Sequence, residues 1–424
     1  MNVALQRFAL DPVLAVLAFS LAIAVASALV LLFDRIGGAF GKAVEPSAQK
    51  LASVEGLRGI LAFSVASHHA YCWYFYSQTG VWSTGNSILF AHLGSLSVMQ
   101  FFFLSGFLFW RKLMKRGQIP FKDFILSRYI RIAPAFYVCF GSAILIGLAG
   151  TGFHLQVPLG TLLFSLLSWF LFAVPGMLAV NQADVLRITC GVAWTLALEW
   201  QFYLLLPFLG WFSRKPSRLW YFALTFTAVL LTGIFLRHEA VHAAYLEPVG
   251  IFVGGIGKFM LIGFGGGILI AALEARIQSW QRFLLPGRNW ILVGLYLIYL
   301  MIPGNAMAME VFLVAGFALV VQGADLFGFL TCRAVRLLGM ISYPLYLVHG
   351  IVYYLAMKAR GGMHAVALPA YLAQTAVCFT LIIVLATLIH VLIERPTMKF
   401  SERIARRASV PQTDLLQESP AKQA

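Results

Sequence analysis

The sequence predicts an all-α fold: a polytopic membrane bundle of about ten core transmembrane helices, with one extra N-terminal helix and a re-entrant segment. Three observations carry this. Of the 424 residues, 61% are hydrophobic and 11% charged, with a mean hydropathy of +0.85, whereas charged residues make up about a quarter of an ordinary soluble domain. Apolar stretches of about twenty residues, enough to cross a hydrocarbon core of about 30 Å, fill nearly the whole chain. The Lys and Arg residues behind the net charge of +15 lie in short loops between those stretches. That is the pattern of cytoplasmic anchoring, not of a nucleic-acid-binding patch.

Twelve apolar stretches begin near Pro12, Leu57, Ile88, Ile132, Leu159, Val192, Leu219, Val249, Trp290, Ala306, Leu337 and Val366. The first, "PVLAVLAFSLAIAVASALVLLF", lacks the Lys-rich start of a secretory signal, so residues 1–36 read as an uncleaved anchor with its N-terminus outside. Residues 37–56 form a cytoplasmic loop and 57–400 one transmembrane domain. The tail 401–424, polar and proline-bearing, is expected to be cytoplasmic and disordered. Basic residues number seven in 111–131, three in "SRKPSR" (213–218), three in 274–288 and five from Arg395 to Arg407, with Arg333 and Arg336 between. If every stretch crossed, "SRKPSR" and the loops after it would alternate onto the wrong side. Residues 159–180, broken by Pro175 and Gly176 and followed by "NQAD", are therefore assigned as re-entrant. Such backbone is tolerated at membrane depth only inside protein or against a wet cavity.

The cysteines, Cys72, Cys139, Cys190, Cys332 and Cys378, are odd in number and form no CxxC. Buried free thiols are expected, with no disulfide framework and no metal. The glycines of "GIFVGGIGKFMLIGFGGG" (250–267) have small-xxx-small spacing and predict close helix packing; no strand precedes them, which excludes a nucleotide-binding fingerprint.

Ionisable groups inside a bilayer are costly and mark pathways or reaction centres. In "GLRGILAFSVASHHAYCW", Arg58 and His69 are eleven residues apart, so they share a helical face and stand about 16 Å apart along the axis. His68 points about 100° away. Arg58 falls at the cytoplasmic mouth and His69 well inside, where a neutral imidazole suits proton acceptance and return. In "WTLALEWQFYLLLP", Glu199 and Tyr203 are one turn apart, and the carboxylate serves either as an interhelical partner or to orient a base or substrate hydroxyl. Ser342, Tyr346 and His349 in "ISYPLYLVHG" form one polar stripe, either interhelical glue or site lining. Lys258 and Glu310 are isolated and read as an ion pair between helices. Arg128 and Arg131, at i and i+3, present guanidinium forks suited to phosphate oxygens, or anchor the chain to headgroups.

In combination these motifs resemble the acyltransferase-3 family of integral-membrane O-acyltransferases, from about residue 50 to 400. The resemblance rests on Arg58 and His69 in "LRGILAFSVASHH", "FFFLSGFLF" at 101–109, the Arg-x-x-Arg pair Arg128 and Arg131, "WTLALEWQFYLLLP" at 194–207, "ISYPLYLVH" at 341–349 and "IERP" at 393–396. Glu55 stands where the family often has Asp, and Ala197 where it often has Ser; only a short tail stands where some members carry a fused extracytoplasmic domain.

The resemblance implies a bacterial inner-membrane enzyme that takes an acyl group, usually acetyl from acetyl-CoA, and places it on a hydroxyl of a carbohydrate or other exported acceptor. It implies a catalytic group of His69, Arg58 and Glu199, with Arg128, Arg131 and Arg58 holding the donor. Ser105, Trp194, Tyr203, Ser342, Tyr346 and His349 are candidates for substrate lining. His69 would act as base or as acyl carrier, and its partner cannot be read from spacing; acceptor, acyl group and oligomeric state stay open. A transporter or flippase without catalysis, using the embedded charges as an ion pathway, is the competing class.

Overall fold

The computed structural model describes residues 12–37, 52–116, 120–173, 178–213, 262–274, 287–301, 310–362 and 366–407. Lys258, the stretch from Leu219, the stretch from Val249 up to residue 261, "RKPSR" at 214–218, Pro175, Gly176 and the tail beyond Arg407 lie outside them. The described residues are helical, with no strand and one isolated bridge between Val180 and Ala183. In chain order the helices are α1 (Pro12–Gly37), α2 (Ala52–Thr79), α3 (Ile88–Arg116), α4 (Phe121–Gly150), α5 (Leu159–Phe170), α6 (Val185–Ile188) and α7 (Ala193–Ser213). They continue with α8 (Gly265–Ala272), α9 (Arg288–Met301), α10 (Glu310–Val321), α11 (Arg333–Met340), α12 (Ser342–Ala359) and α13 (Leu368–Ile389). A π-helical turn, His390–Glu394, joins α13 to α14 (Arg395–Arg407). The last helix thus runs seven residues past 400.

Among the described residues three helices, Ile88–Lys115, Phe121–Gly150 and Leu368–Ser401, are long and apolar enough to cross a membrane, and α11 with α12 is an apolar pair bent by 71°, a broken span or a re-entrant loop. Pro344 explains the bend: it has no N–H for the Met340 carbonyl, so one helix ends at Met340 and a new one begins at Ser342. In contrast α5, with 12 residues, is about 18 Å long, well short of about 30 Å. Exposed Val377, Leu381, Leu385, Leu388 and Leu392 make a continuous apolar stripe along the outer face of the last span. Such surface is stable against lipid and not against water. The protein is a membrane protein.

Helix α2 is the axis of the bundle, packed by α3, α11 and α12, with Phe63, Ala62 and Ala66 fully buried. Two glycine contacts set the spacing of the helices around the site. A Cβ on Gly339 would lie 2.1 Å from the Glu55 carbonyl oxygen, and one on Gly59 would lie 2.6 Å from the Gly339 nitrogen. A Cβ on Gly267 would lie 2.1 Å from the Phe103 carbonyl oxygen, so the described part of the glycine-rich run packs closely on α3. Ion pairs add to this frame: Arg336 Nη2 to Glu55 at 2.9 Å fixes α11 on α2, and Arg333 Nε to buried Asp34 at 2.8 Å fixes α11 on α1. Gly339→Ala is expected to destabilise the bundle by about 3 kcal/mol, at the upper end of overpacking costs, because backbone and not a flexible side chain must yield. Thermal unfolding in detergent measures this, and an unchanged Tm would show that α2 and α11 can part freely.

Candidate active site

A cavity of about 340 Å³ opens between α2, α3, α4, α7 and α12. Eight of the residues singled out from the sequence line it: Arg58, Ser105, Arg128, Arg131, Glu199, Tyr203, Ser342 and Tyr346. Lys112, Thr195, Tyr343 and Glu394 line it as well. Its charges are therefore four cations against two carboxylates, a net positive chamber that favours an anion.

Each group is placed by its helix. Glu199 is held from two sides, by Ser105 Oγ donating to Oε1 over 3.1 Å and by Tyr203 Oη, one turn on, donating to the same oxygen. Arg128 lies over the Phe109 ring, 5.2 Å from its centroid, which leaves its Nε buried without a hydrogen-bond partner. The charges acting on Arg58 are those of Arg131, Glu394, Glu199 and Glu55. Ser342 Oγ is buried and likewise unpartnered. Buried orphan donors of this kind call for a ligand or water. Glu394 reaches the cavity because the π turn adds a residue; its carboxylate accepts from His390 Nδ1 at 2.7 Å. The rim is pinned by Ser401 Oγ donating to the Ser127 carbonyl over 2.8 Å, tying α14 to α4.

Three of the candidates lie elsewhere. Trp194 is not in the cavity wall; its ring packs edge-on to Phe102, and its neighbour Thr195 takes the lining position, with Oγ1 2.9 Å from Tyr346 Oη. His69 and His349 meet each other beyond Tyr346, whose ring is 6.0 Å from that of His349. His69 Nδ1 and His349 Nε2 are 2.9 Å apart. The direction of this bond follows from the other end of His349. There Nδ1 faces the Leu345 carbonyl at 3.3 Å, and a carbonyl only accepts, so Nδ1 carries the proton. Nε2 of the neutral ring then accepts from His69 Nδ1–H, and the lone pair of His69 is left on Nε2. His349 is fully buried while His69 is half-buried, under the exposed Trp82 ring at 6.2 Å.

His68 differs. Its Nδ1 donates to the Phe90 carbonyl over 2.7 Å and its Nε2 faces Cys72 Sγ at 3.6 Å, so both nitrogens are occupied. A third group joins the histidine pair: the ligand atoms of His69, His349 and Cys190 all lie within 4.8 Å of one another. Four of the five cysteines are buried, and all are free.

A half-buried histidine with a directed lone pair can accept a proton, and the cationic chamber lined from the same helix favours an anion. The family described as "Acyltransferase domain", acyltransferase-3, matches residues 51–394. The chain belongs to the acyltransferase-3 family. Searches of the curated proteins and of the solved structures return no match. As a member of the acyltransferase-3 family the protein is a membrane acyltransferase, with an acyl donor and a hydroxyl acceptor for substrates. The match covers the cavity and both histidines and ends at Glu394. Glu394 belongs to the quoted "IERP", Thr195 to the quoted "WTLALEWQFYLLLP" and Lys112 to the basic stretch 111–131, and those were the signals available for them.

Proposed function

We propose that the protein moves an acetyl group from cytoplasmic acetyl-CoA to a hydroxyl of a cell-envelope or exported carbohydrate, in a bacterial inner membrane, with ten core spans, an N-terminal anchor and a cytoplasmic C-terminus. The observation that carries the chemistry is the proton chain from His69 Nδ1 through His349 to the Leu345 carbonyl, which leaves Nε2 of His69 as the basic atom. The anionic part of the donor sits among Arg58, Arg128 and Arg131, which line the cavity. From there a thioester arm follows α2 past Tyr346, and the eleven residues from Arg58 to His69 rise about 16 Å. His69 Nε2 takes the proton of the acceptor hydroxyl, and the oxygen attacks the thioester carbonyl. The C–S bond breaks as the intermediate collapses, and the departing thiolate recovers the proton from Nε2. An acyl-imidazole on Nε2 uses the same lone pair and is the second route. Glu199, fixed by Ser105 and Tyr203, orients groups inside the chamber.

Radiolabelled acetyl-CoA supplied to the purified protein in nanodiscs tests this: binding and turnover support it, and a wild type that neither binds nor consumes the thioester overturns it in favour of transport. His349 is a positioning residue. His349→Ala is expected to lower kcat by about 100-fold with little change in KM for the donor, within the range of acid–base contributions. His349→Gln, whose amide oxygen can accept from His69 Nδ1–H, should recover part of the loss. Equal activity of the two variants would remove the relay.

A further inference from the structure

We propose that His69, His349 and Cys190 form a zinc-binding site whose occupation switches off the base. The donor set is two imidazoles and one thiol, a soft-to-borderline mixture that suits Zn²⁺. Its atoms converge from three elements: His69 from α2, His349 from α12 and Cys190 from the turn before α7, all within 4.8 Å. That convergence depends on local backbone. Cys190 has φ 54° and Gly191 φ 74°, so the turn folds back through left-handed conformations. Gly350, next to His349, has no side chain; a Cβ there would lie 2.4 Å from the Thr189 carbonyl carbon, so the turn rests directly on α12.

Two of the three ligands have outer partners of the kind zinc sites use. A metal-binding histidine commonly donates its other N–H to a carbonyl, as His349 Nδ1 does to Leu345. The Cys190 sulfur accepts from Trp73 Nε1 over 3.2 Å, a bond that favours thiolate. With zinc at about 2.0–2.1 Å from nitrogen and about 2.3 Å from sulfur, tetrahedral ligand atoms stand about 3.3–3.5 Å apart. The nitrogens, now 2.9 Å apart, need to open by about 0.4 Å, and the thiol, within 4.8 Å of both, needs to close by at most about 1.5 Å.

Proton balance links the site to catalysis. For zinc to bind His69 Nδ1, the proton there moves to Nε2. The Cys190 thiol loses its proton to solvent, so one proton leaves per zinc bound. His69 Nε2 then has no lone pair. The inhibitory half of the proposal rests on His69 acting as proposed above, whereas metal binding does not.

The test uses the full-length protein in nanodiscs with Co²⁺ as a spectroscopic stand-in for zinc. Wild type should show thiolate-to-cobalt charge-transfer absorption that Zn²⁺ displaces, retained in Cys72→Ser and absent in Cys190→Ser. Zn²⁺ should inhibit acyl transfer by wild type. Measured against its own metal-free rate, Cys190→Ser should raise the inhibitory zinc concentration by about a hundredfold, since even loss of an outer partner costs about 10–100-fold in affinity. Trp73→Phe, which keeps all three ligands, should raise it by about tenfold. Cobalt bound without a thiolate band, or equal zinc affinity in wild type and Cys190→Ser, would overturn the site. Zinc held through Cys190 with no loss of rate would overturn the switch, and the assignment of His69 as base with it.

Discussion

His69→Ala abolishes acyl transfer while leaving donor binding intact: that is the expected result with the largest effect. A positioned base contributes about 10²–10⁴ in rate, and no second imidazole can substitute. His349 is fully buried with Nδ1 committed to Leu345, and His68 has both nitrogens engaged. Because His69 lies about three helical turns from Arg58, its removal leaves the cavity unchanged. The loss should therefore appear in kcat, with KM for acetyl-CoA within about twofold, a split that marks an interaction made in the transition state. Single-turnover thioester consumption with His69→Ala measures it. Undiminished turnover would make the histidine structural.

Arg128→Ala/Arg131→Ala should do the opposite. The two side chains share a face of α4 and both line the cavity, where they supply half of its four cations. Hydrogen bonds to charged groups contribute about 1.5–3 kcal/mol each, so losing both raises KM for the donor by about a hundredfold or more. A short thioester without phosphates provides the control: wild type and the double variant should use it equally well. If the double variant binds acetyl-CoA as tightly as wild type, the arginines are lipid anchors and the anion site lies elsewhere.

Much of the site was legible because it is local in sequence. Helical spacing placed Arg58 and His69 on one helix, put Glu199 within reach of Tyr203, and grouped Arg128 with Arg131; all but His69 face one chamber. Contacts that form only when distant helices meet were not legible. His69 and His349 are 280 positions apart, and periodicity says nothing about which helices become neighbours. The same limit hid Cys190, whose approach depends on a left-handed turn and a glycine on another helix. Trp194 was named where Thr195 lines the cavity because one residue along a helix is about 100° of rotation, finer than a motif resolves. The all-helical class followed from composition and from the succession of apolar stretches. Span number does not follow so directly, because a 71° bend at Ile341 divides one apolar stretch and α5 stops at 12 residues.

The π turn at His390–Glu394 has an implication for how this architecture can change. An inserted residue in a helix is removable by loss of one codon, after which the i→i+4 ladder closes again. Here that repair would rotate everything downstream by about 100° and draw it back about 1.5 Å. Glu394 would leave the chamber, and Ser401 would leave Ser127. The lipid-facing stripe upstream, Val377 to Leu392, would lose nothing but its last members. The turn therefore divides one span into two parts with different partners: the upstream part faces lipid on one side and α12 on the other, and the downstream part is held against α4 beside the chamber.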